Sequence, residues 1–288
     1  MTINLATSTD TPLSELLTFL SLKAFADHYL SVAETFEKQG KTSVDYLKEL
    51  ALRESERRTN VRLGRLLKQA KLPRTKVLSD FEIGRIHGLS PALIQRLASG
   101  NFIDMHENIL IFGNPGTGKT HLSIALAREW SFLGRRVLFT TASQLVQELK
   151  IAQRDLKLHQ AIKKFDAFEV LVIDDISYIP LERNDTDVLF QLLADRYETR
   201  SIVITSNLPF SKWGQIFKDD MTTAAAIDRL VHHAEILELN ADSYRIKTAQ
   251  DKKETTSTKM EKDESQNPSK KDVAKITKIS HKRGRVKV

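Results

Sequence analysis

Lys119 and Thr120 close an eight-residue run, Gly113-Asn114-Pro115-Gly116-Thr117-Gly118-Lys119-Thr120, in which glycines recur ahead of a single lysine. Glycine lets backbone N–H groups wrap a phosphate chain with no Cβ in the way. A lysine at this spacing neutralises the β- and γ-phosphates of a nucleotide, and the hydroxyl that follows it ligates Mg2+. The flanking sequence supplies the context this chemistry needs. Asn108-Ile109-Leu110-Ile111-Phe112 suits a buried strand, and an amphipathic helix is expected from His121 to about Phe132. The N-terminus of that helix favours an anion through its dipole. Residues Gly113 to His121 are thus the candidate ATP contacts, with Lys119 catalytic and Thr120 a metal ligand.

Other carboxylates and amides must come from neighbouring strands. Val170-Leu171-Val172-Ile173 ends in Asp174-Asp175, about 55 residues after the glycine-rich loop and beyond an intervening strand at Arg136 to Thr140. Open parallel sheets bind ligands at the carboxyl ends of their strands. Asp174 is placed to hold Mg2+ through water, and Asp175 to orient or polarise an attacking water. A third strand, Ser201 to Thr205, ends in Ser206-Asn207-Leu208-Pro209. Asn207 can hydrogen-bond the attacking water or the γ-phosphate, or it can make an Asx turn before the proline. Glu235 to Leu239 supplies a last strand. The helix before it, Ala224-Ala225-Ala226-Ile227-Asp228-Arg229-Leu230, offers Arg229 either as an arginine finger reaching a neighbouring subunit or as an Asp-paired surface residue.

The chain's formal net charge of +7 is unevenly placed. Residues 1–52 and 101–250 are each at −3, residues 53–76 carry +7, and residues 251–288 carry +6. In the basic segment Leu63, Leu66, Leu67 and Ala70 form one apolar helical stripe, while Arg58, Arg62 and Arg65 form a row flanked by Arg53, Arg57 and Lys68. Such a face, opposed only by Glu54 and Glu56, suits phosphate binding better than the mixed signs of an ordinary solvated surface. Leu13, Leu16, Leu17 and Leu20 mark one further helix, and Val44, Leu47, Leu50 and Ala51 another. The organisation read from these patterns is a helical domain at 1–76 that ends at Pro73, a linker at 77–100, an α/β domain at 101–250 and a disordered basic tail at 251–288.

A second basic face is expected within the core. Over Thr141 to Lys164, Leu145, Leu149, Ala152 and Leu156 share one helical side, with Lys150, Arg154 and Lys157 on the other. This is either an amphipathic cover for the sheet or a DNA-tracking element. The eight histidines show no metal-site spacing, and adjacent His232-His233 cannot face one ion from a helix. The lack of cysteine excludes a disulfide scaffold, a cysteine-ligated zinc site and a thiol nucleophile. No apolar run approaches the ~20 residues that span a bilayer, and no basic-then-apolar leader opens the chain. A cytoplasmic protein with no membrane partner is expected.

Together, GNPGTGKT at 113–120, VLVIDD at 170–175, SIVITSN at 201–207 and TAAAIDRLVHHA at 223–234 resemble AAA+ ATPases of the IstB type. These are transposition helper proteins related to DnaC-type helicase loaders. YIPL at 178–181, LFQLLADRYE at 189–198, LPFSKWGQIF at 208–217 and the helical leader match too, so the resemblance covers about residues 10–248. It implies a P-loop parallel sheet flanked by helices, ATP and Mg2+ as cofactors, Asp174 as the Mg2+ carboxylate, Asp175 at the catalytic acid position, Asn207 as first sensor and Arg229 as a finger acting in trans. It also favours reading the 141–164 helix as the element that assembles spirally on DNA. Asp175 stands where AAA+ proteins more often have Glu, one methylene longer, which implies slow hydrolysis. Too few ordered residues are expected after Arg229 for a helical lid, so no second sensor arginine is assigned.

The function expected is therefore an ATP-dependent helper ATPase that oligomerises on duplex DNA with little sequence preference and recruits or activates a transposase of the same element. A helicase loader is the nearest alternative. A small-molecule P-loop kinase and a non-catalytic, nucleotide-gated DNA clamp are the readings from other classes.

Overall fold

The computed structural model describes residues 11–73, 75–86, 88–178, 183–217 and 220–240. The basic tail expected at 251–288 lies outside them. Three helices open the chain: α1 (Leu13–Phe19), α2 (Lys23–Lys38) and α3 (Ser43–Gln69). Thr42 and Asp45 start α3 with a reciprocal capping box, each side chain accepting the other's backbone N–H. The two helices expected upstream and downstream of residue 52 are one continuous 27-residue rod. No proline lies within it, so the helix propagates across the expected boundary. Of the 44–51 stripe only Leu50 is buried, while Val44 and Leu47 stay exposed. At the far end Leu66 and Ala70 are buried as expected.

Residues 77–100, expected as a linker, carry packed elements of their own. Two 3-10 turns, Leu78–Asp80 and Ile83–Arg85, lead to α4 (Pro91–Ala98), which Ser90 caps through the Leu93 N–H. Ile86, Leu89, Ile94 and Leu97 are buried in one cluster with Trp130, whose indole N–H donates to the Leu97 carbonyl at 2.8 Å. The apolar residues here follow no single period, which hides a packed segment from pattern reading. A short helix, α5 (Asn101–Asp104), leads into the sheet.

The core alternates strand and helix: β1 (Asn108–Gly113), α6 (Lys119–Phe132), β2 (Val137–Thr141), α7 (Ala142–Arg154), α8 (Leu158–Asp166), β3 (Val170–Asp174), α9 (Arg183–Arg196), β4 (Ser201–Ser206), α10 (Gly214–Phe217), α11 (Asp220–Val231) and β5 (Ala234–Leu239). All five strands fall where their apolar runs place them. They form one parallel sheet in the order β2-β3-β4-β1-β5. This order sets β4 between β1 and β3, so the ends of three strands meet at one rim. Asn108 stitches the opposite rim: its side chain donates to the Leu230 carbonyl and accepts the Ile202 N–H, and its own N–H donates to the His233 carbonyl.

Helices cover both faces. One buried cluster joins the sheet to α7, α8, α9 and α11; the other joins it to α4, α5 and α6. The helix expected as amphipathic after the loop is instead buried nearly all round, from Leu122 to Trp130, because α3 and α4 cover the side away from the sheet. Its buried Ser123 and Ser131 bond back to carbonyls of the preceding turn. Arg196 at the end of α9 is fully buried and donates to the carbonyls of Phe165, Phe168 and Ser201, tying α8 to β4. Burial pushes its guanidinium down to about 10. The single helix expected over 141–164 breaks at Asp155–Lys157, where Leu156 has φ 55° and is 94% exposed. Leu156 therefore leaves the apolar stripe that Leu145 and Leu149 keep. Among the described residues no helix is long and apolar enough to cross a membrane.

Candidate nucleotide site and basic surfaces

The glycine-rich loop leaves β1 at Gly113 and enters α6 at Lys119. A Cβ on Gly113 would stand 2.6 Å from the Leu239 carbonyl oxygen and 2.9 Å from Thr117 Oγ1, so only glycine fits between β1 and β5 here. Gly118 has φ +100°, and a Cβ there would meet the Phe81 ring at 3.0 Å. Asn114 and Pro115 are exposed at the tip, and Thr117 Oγ1 donates to the Asn114 carbonyl. Lys119 is buried, its ammonium 2.7 Å from the Gly113 carbonyl and 2.9 Å from that of Asn114. The first helical bond of α6 runs from the Leu122 N–H to the Gly118 carbonyl, so the amides before it face the loop. A compact cation, a backbone cradle closed to Cβ atoms and a helix N-terminus together fit a phosphate chain.

Thr120 and Asp174 are brought together across 54 residues. The Thr120 hydroxyl donates to Asp174 Oδ1 at 2.9 Å, and Asp174 is 7% exposed. Thr205, from the strand between, donates to the same Oδ1 at 2.7 Å and accepts the Asp175 N–H at 2.8 Å. An adjacent hydroxyl and carboxylate, both hard oxygen donors, fit Mg2+. Asp175 has φ 64°, turning its side chain off the line of β3 towards Asn207, whose amide donates to Asp175 Oδ1 at 3.3 Å. The Asn207 backbone is held in turn by Ser177 Oγ at 3.0 Å. The Asx turn weighed for Asn207 is taken by Ser206, whose hydroxyl bridges to Leu208.

The His121 ring packs away from the loop backbone. Its Nε2 lies 2.9 Å from the Val77 carbonyl and its ring meets Phe81 edge-on, holding the segment before α4 against the loop. Arg229 is not beside the loop residues. It is half-buried on α11, donating to the Ala225 carbonyl, with its guanidinium carbon 4.8 Å from the Phe190 ring centroid. Thr205, Ser177 and Phe81 were not legible as site residues. A threonine inside a buried strand and a phenylalanine in an irregular stretch carry no motif of their own.

The basic row on α3 divides in two. Glu54, 4% exposed, takes hydrogen bonds from Arg57 and Arg58 and also from the Ala24 N–H at the start of α2. The Arg57 hydrogen bond, ahead of the cost of burial, holds the Glu54 carboxyl well below its usual range, at about 2. Arg53 pairs with Glu49, an acid outside the basic segment. Arg62, Arg65 and Lys68 are exposed and have no acidic partner among the described residues. On α7, α8 and the turn between them, Arg154 pairs with Asp155 and Lys164 with Glu148, and Lys150, Arg154 and Lys157 are all exposed.

The chain matches the family model described as IstB-like ATP binding protein over residues 15–252. It is 41% identical over 222 residues to a putative insertion sequence ATP-binding protein of Sinorhizobium fredii, covering 77% of this chain and 74% of that protein. It is 34% identical over 235 residues to the insertion sequence IS21 putative ATP-binding protein of Pseudomonas aeruginosa, covering 82% and 89%. Among solved structures, the replication initiator DnaA bound to AMPPCP and single-stranded DNA superposes with a TM-score of 0.51 at 20% identity. That match covers 63% of this chain and 55% of the DnaA chain, and it is a likeness of fold. With its P-loop, its parallel sheet and these relatives, the chain belongs to the IstB-like ATP-binding proteins of IS21-type insertion sequences.

Proposed function

We propose that this chain is an Mg2+-dependent ATP hydrolase that assembles on duplex DNA when ATP is bound and recruits or activates the transposase of its element. The observation that carries the enzymatic part is the hydrogen-bonded set Thr120–Asp174–Thr205 beside Lys119. Mg2+ held by Thr120 and Asp174 would neutralise charge on the β- and γ-phosphates. Lys119 moves from the loop carbonyls to the phosphates, and Asp175, oriented by Asn207, positions and deprotonates the attacking water. The short Asp175 side chain supports slow turnover, which suits an assembly that must persist on DNA.

Arg229 is the residue proposed to reach the neighbouring subunit's γ-phosphate. Among the described residues it has a weak hold, one carbonyl bond of 3.3 Å and a ring face, and can be recruited without breaking an ion pair. The DNA grip falls to Arg62, Arg65 and Lys68, with Lys150, Arg154 and Lys157 at the α7–α8 elbow as a second contact. Arg53, Arg57 and Arg58 serve first to hold α3 and α2. Contacts of this kind track phosphates and carry little base information. The family membership supports a transposase over a replicative helicase as the protein partner. Measuring ATP turnover with and without duplex DNA, alongside capture of the transposase encoded by the same element, tests the proposal. DNA-stimulated hydrolysis and ATP-dependent capture are expected; turnover indifferent to DNA together with capture of a helicase alone would refute it.

A further inference from the structure

A second cluster of ligand-type side chains lies at the other rim of the sheet. Glu198 stands two residues beyond the end of α9 with φ 58°, and His232 and His233 follow Val231, the last residue of α11. One ligand atom from each lies within 4.8 Å of the other two, and His232 Nδ1 and His233 Nε2 are each 4.0 Å from Glu198 Oε1. We propose that Glu198, His232 and His233 form a binding site for a borderline divalent transition metal such as Zn2+.

Consecutive histidines inside a helix point about 100° apart and cannot share an ion. These two have left the helix, and their rings lie 4.1 Å apart between centroids, tilted by 53°. They offer different nitrogens, the near Nδ1 of His232 and the far Nε2 of His233, which makes up for their different starting points along the chain. Ligands bonded to zinc at about 2.0–2.2 Å sit roughly 3.4 Å apart in a tetrahedron, so each imidazole must close on the carboxylate by about 0.6 Å and the two imidazoles on each other by up to about 1.4 Å. All three side chains are about half exposed, so they can rotate and an ion can reach them. The backbones of both histidines are already fixed: the His233 carbonyl accepts the Asn108 N–H at 2.7 Å, and the His232 N–H donates to the Asp228 carbonyl at 3.0 Å. Tyr197 Oη lies 2.9 Å from His232 Nδ1. The same phenol hydrogen-bonds Glu198, so it bridges two of the three groups and swings aside when the ion takes its place. Two imidazoles and one carboxylate select zinc, cobalt or nickel over Mg2+ or Ca2+.

The site is separate from the nucleotide's metal. Asn108 pairs with Ala234 at the start of β1 and β5, whereas the phosphate loop leaves the far end of β1. An ion here would fasten the end of α9 to the end of α11, the helix that carries Arg229. It would therefore fix the seat of that helix without touching ATP.

The test uses the full chain, stripped with chelator and kept in millimolar Mg2+, titrated with Co2+ and followed by its visible absorption, then with Zn2+ in competition. One Co2+ per chain is expected, displaced by Zn2+. Glu198→Gln should weaken binding at least 10-fold and the His232→Ala/His233→Ala pair at least 100-fold, while exposed His159→Ala leaves it unchanged. Zn2+ should raise the melting temperature of the parent chain and not that of Glu198→Gln, a surface change that keeps the fold. Undiminished Co2+ affinity in Glu198→Gln, an equal loss in His159→Ala, or no Co2+ spectrum in the parent chain would overturn the proposal.

Discussion

Thr205 hydrogen-bonds Asp174 through its hydroxyl at 2.7 Å while accepting the Asp175 N–H at 2.8 Å. One side chain of β4 thus positions both acidic residues at the end of β3. Removing it leaves the Asp174 carboxylate with the Thr120 hydroxyl alone and strands the Asp175 amide. Groups that orient a metal ligand in this way typically change metal affinity 10- to 100-fold. Thr205→Val, which keeps the volume, should raise the Mg2+ concentration for half-maximal ATP turnover by about that factor. Nucleotide binding without Mg2+ should change little. An unchanged Mg2+ dependence would remove Thr205 from the site.

Gly118 separates two effects that a single substitution confounds. Gly118→Ala places a methyl group against Phe81 and also imposes a left-handed backbone of φ +100° on an alanine. The expected result is a large loss of ATP affinity. Adding Phe81→Ala should restore only part of it, because the steric contact is relieved and the backbone strain of about 1–3 kcal/mol is not. Full rescue by Phe81→Ala, read by calorimetric titration with ATP, would mean that the ring alone dictates the glycine.

Strand ends proved readable from the sequence because each buried strand is a short apolar run closed by a polar residue, and chemistry in parallel sheets gathers at those closures. Asp174, Asp175 and Asn207 stand at or just past such closures, whereas Lys119 and Thr120 are read from the glycine spacing that leads into α6. What the sequence concealed depends on distant packing. Thr205 looks like any strand threonine until β4 is set between β1 and β3. Helix α6 reads as amphipathic until α3 and α4 cover its outer side. Leu156 fits a helical period that a left-handed turn then breaks. The paired charges on α3 hide for the same reason, since Glu54 binds an amide of α2, 30 residues away.

Glu54 also gives the N-terminal helices a pH dependence with a definite sign. Its carboxyl is depressed from about 4.5 to about 2 in the folded chain. The stabilisation is therefore complete above pH ~4.5 and is lost as the pH falls towards 2. Glu54→Gln should remove that acid-sensitive part and cost about 1–2 kcal/mol at neutral pH, through the lost bonds to Arg57, Arg58 and the first turn of α2. Thermal unfolding between pH 2 and 7 reads this directly. A variant with the same acid dependence as the parent would show that Glu54 does not carry it.

The two halves of the basic row on α3 should behave differently on DNA. Arg62→Ala, Arg65→Ala and Lys68→Ala should each weaken duplex binding and shallow the slope of log affinity against log salt by nearly one, leaving stability within about 0.5 kcal/mol. Arg57→Ala and Arg58→Ala should lower the melting temperature and alter the salt slope less, because those cations already face Glu54. The reverse pattern would move the phosphate contact towards the start of α3.

The central claim is that nucleotide at the P-loop controls the grip on DNA. The most direct measurement is salt-dependent binding of a duplex of unrelated sequence by the full chain with ATP and Mg2+, with ADP and Mg2+, and by Lys119→Ala with ATP. Tight, cooperative binding with a steep salt slope is expected in the first case only. Equal affinity and slope in all three would contradict it.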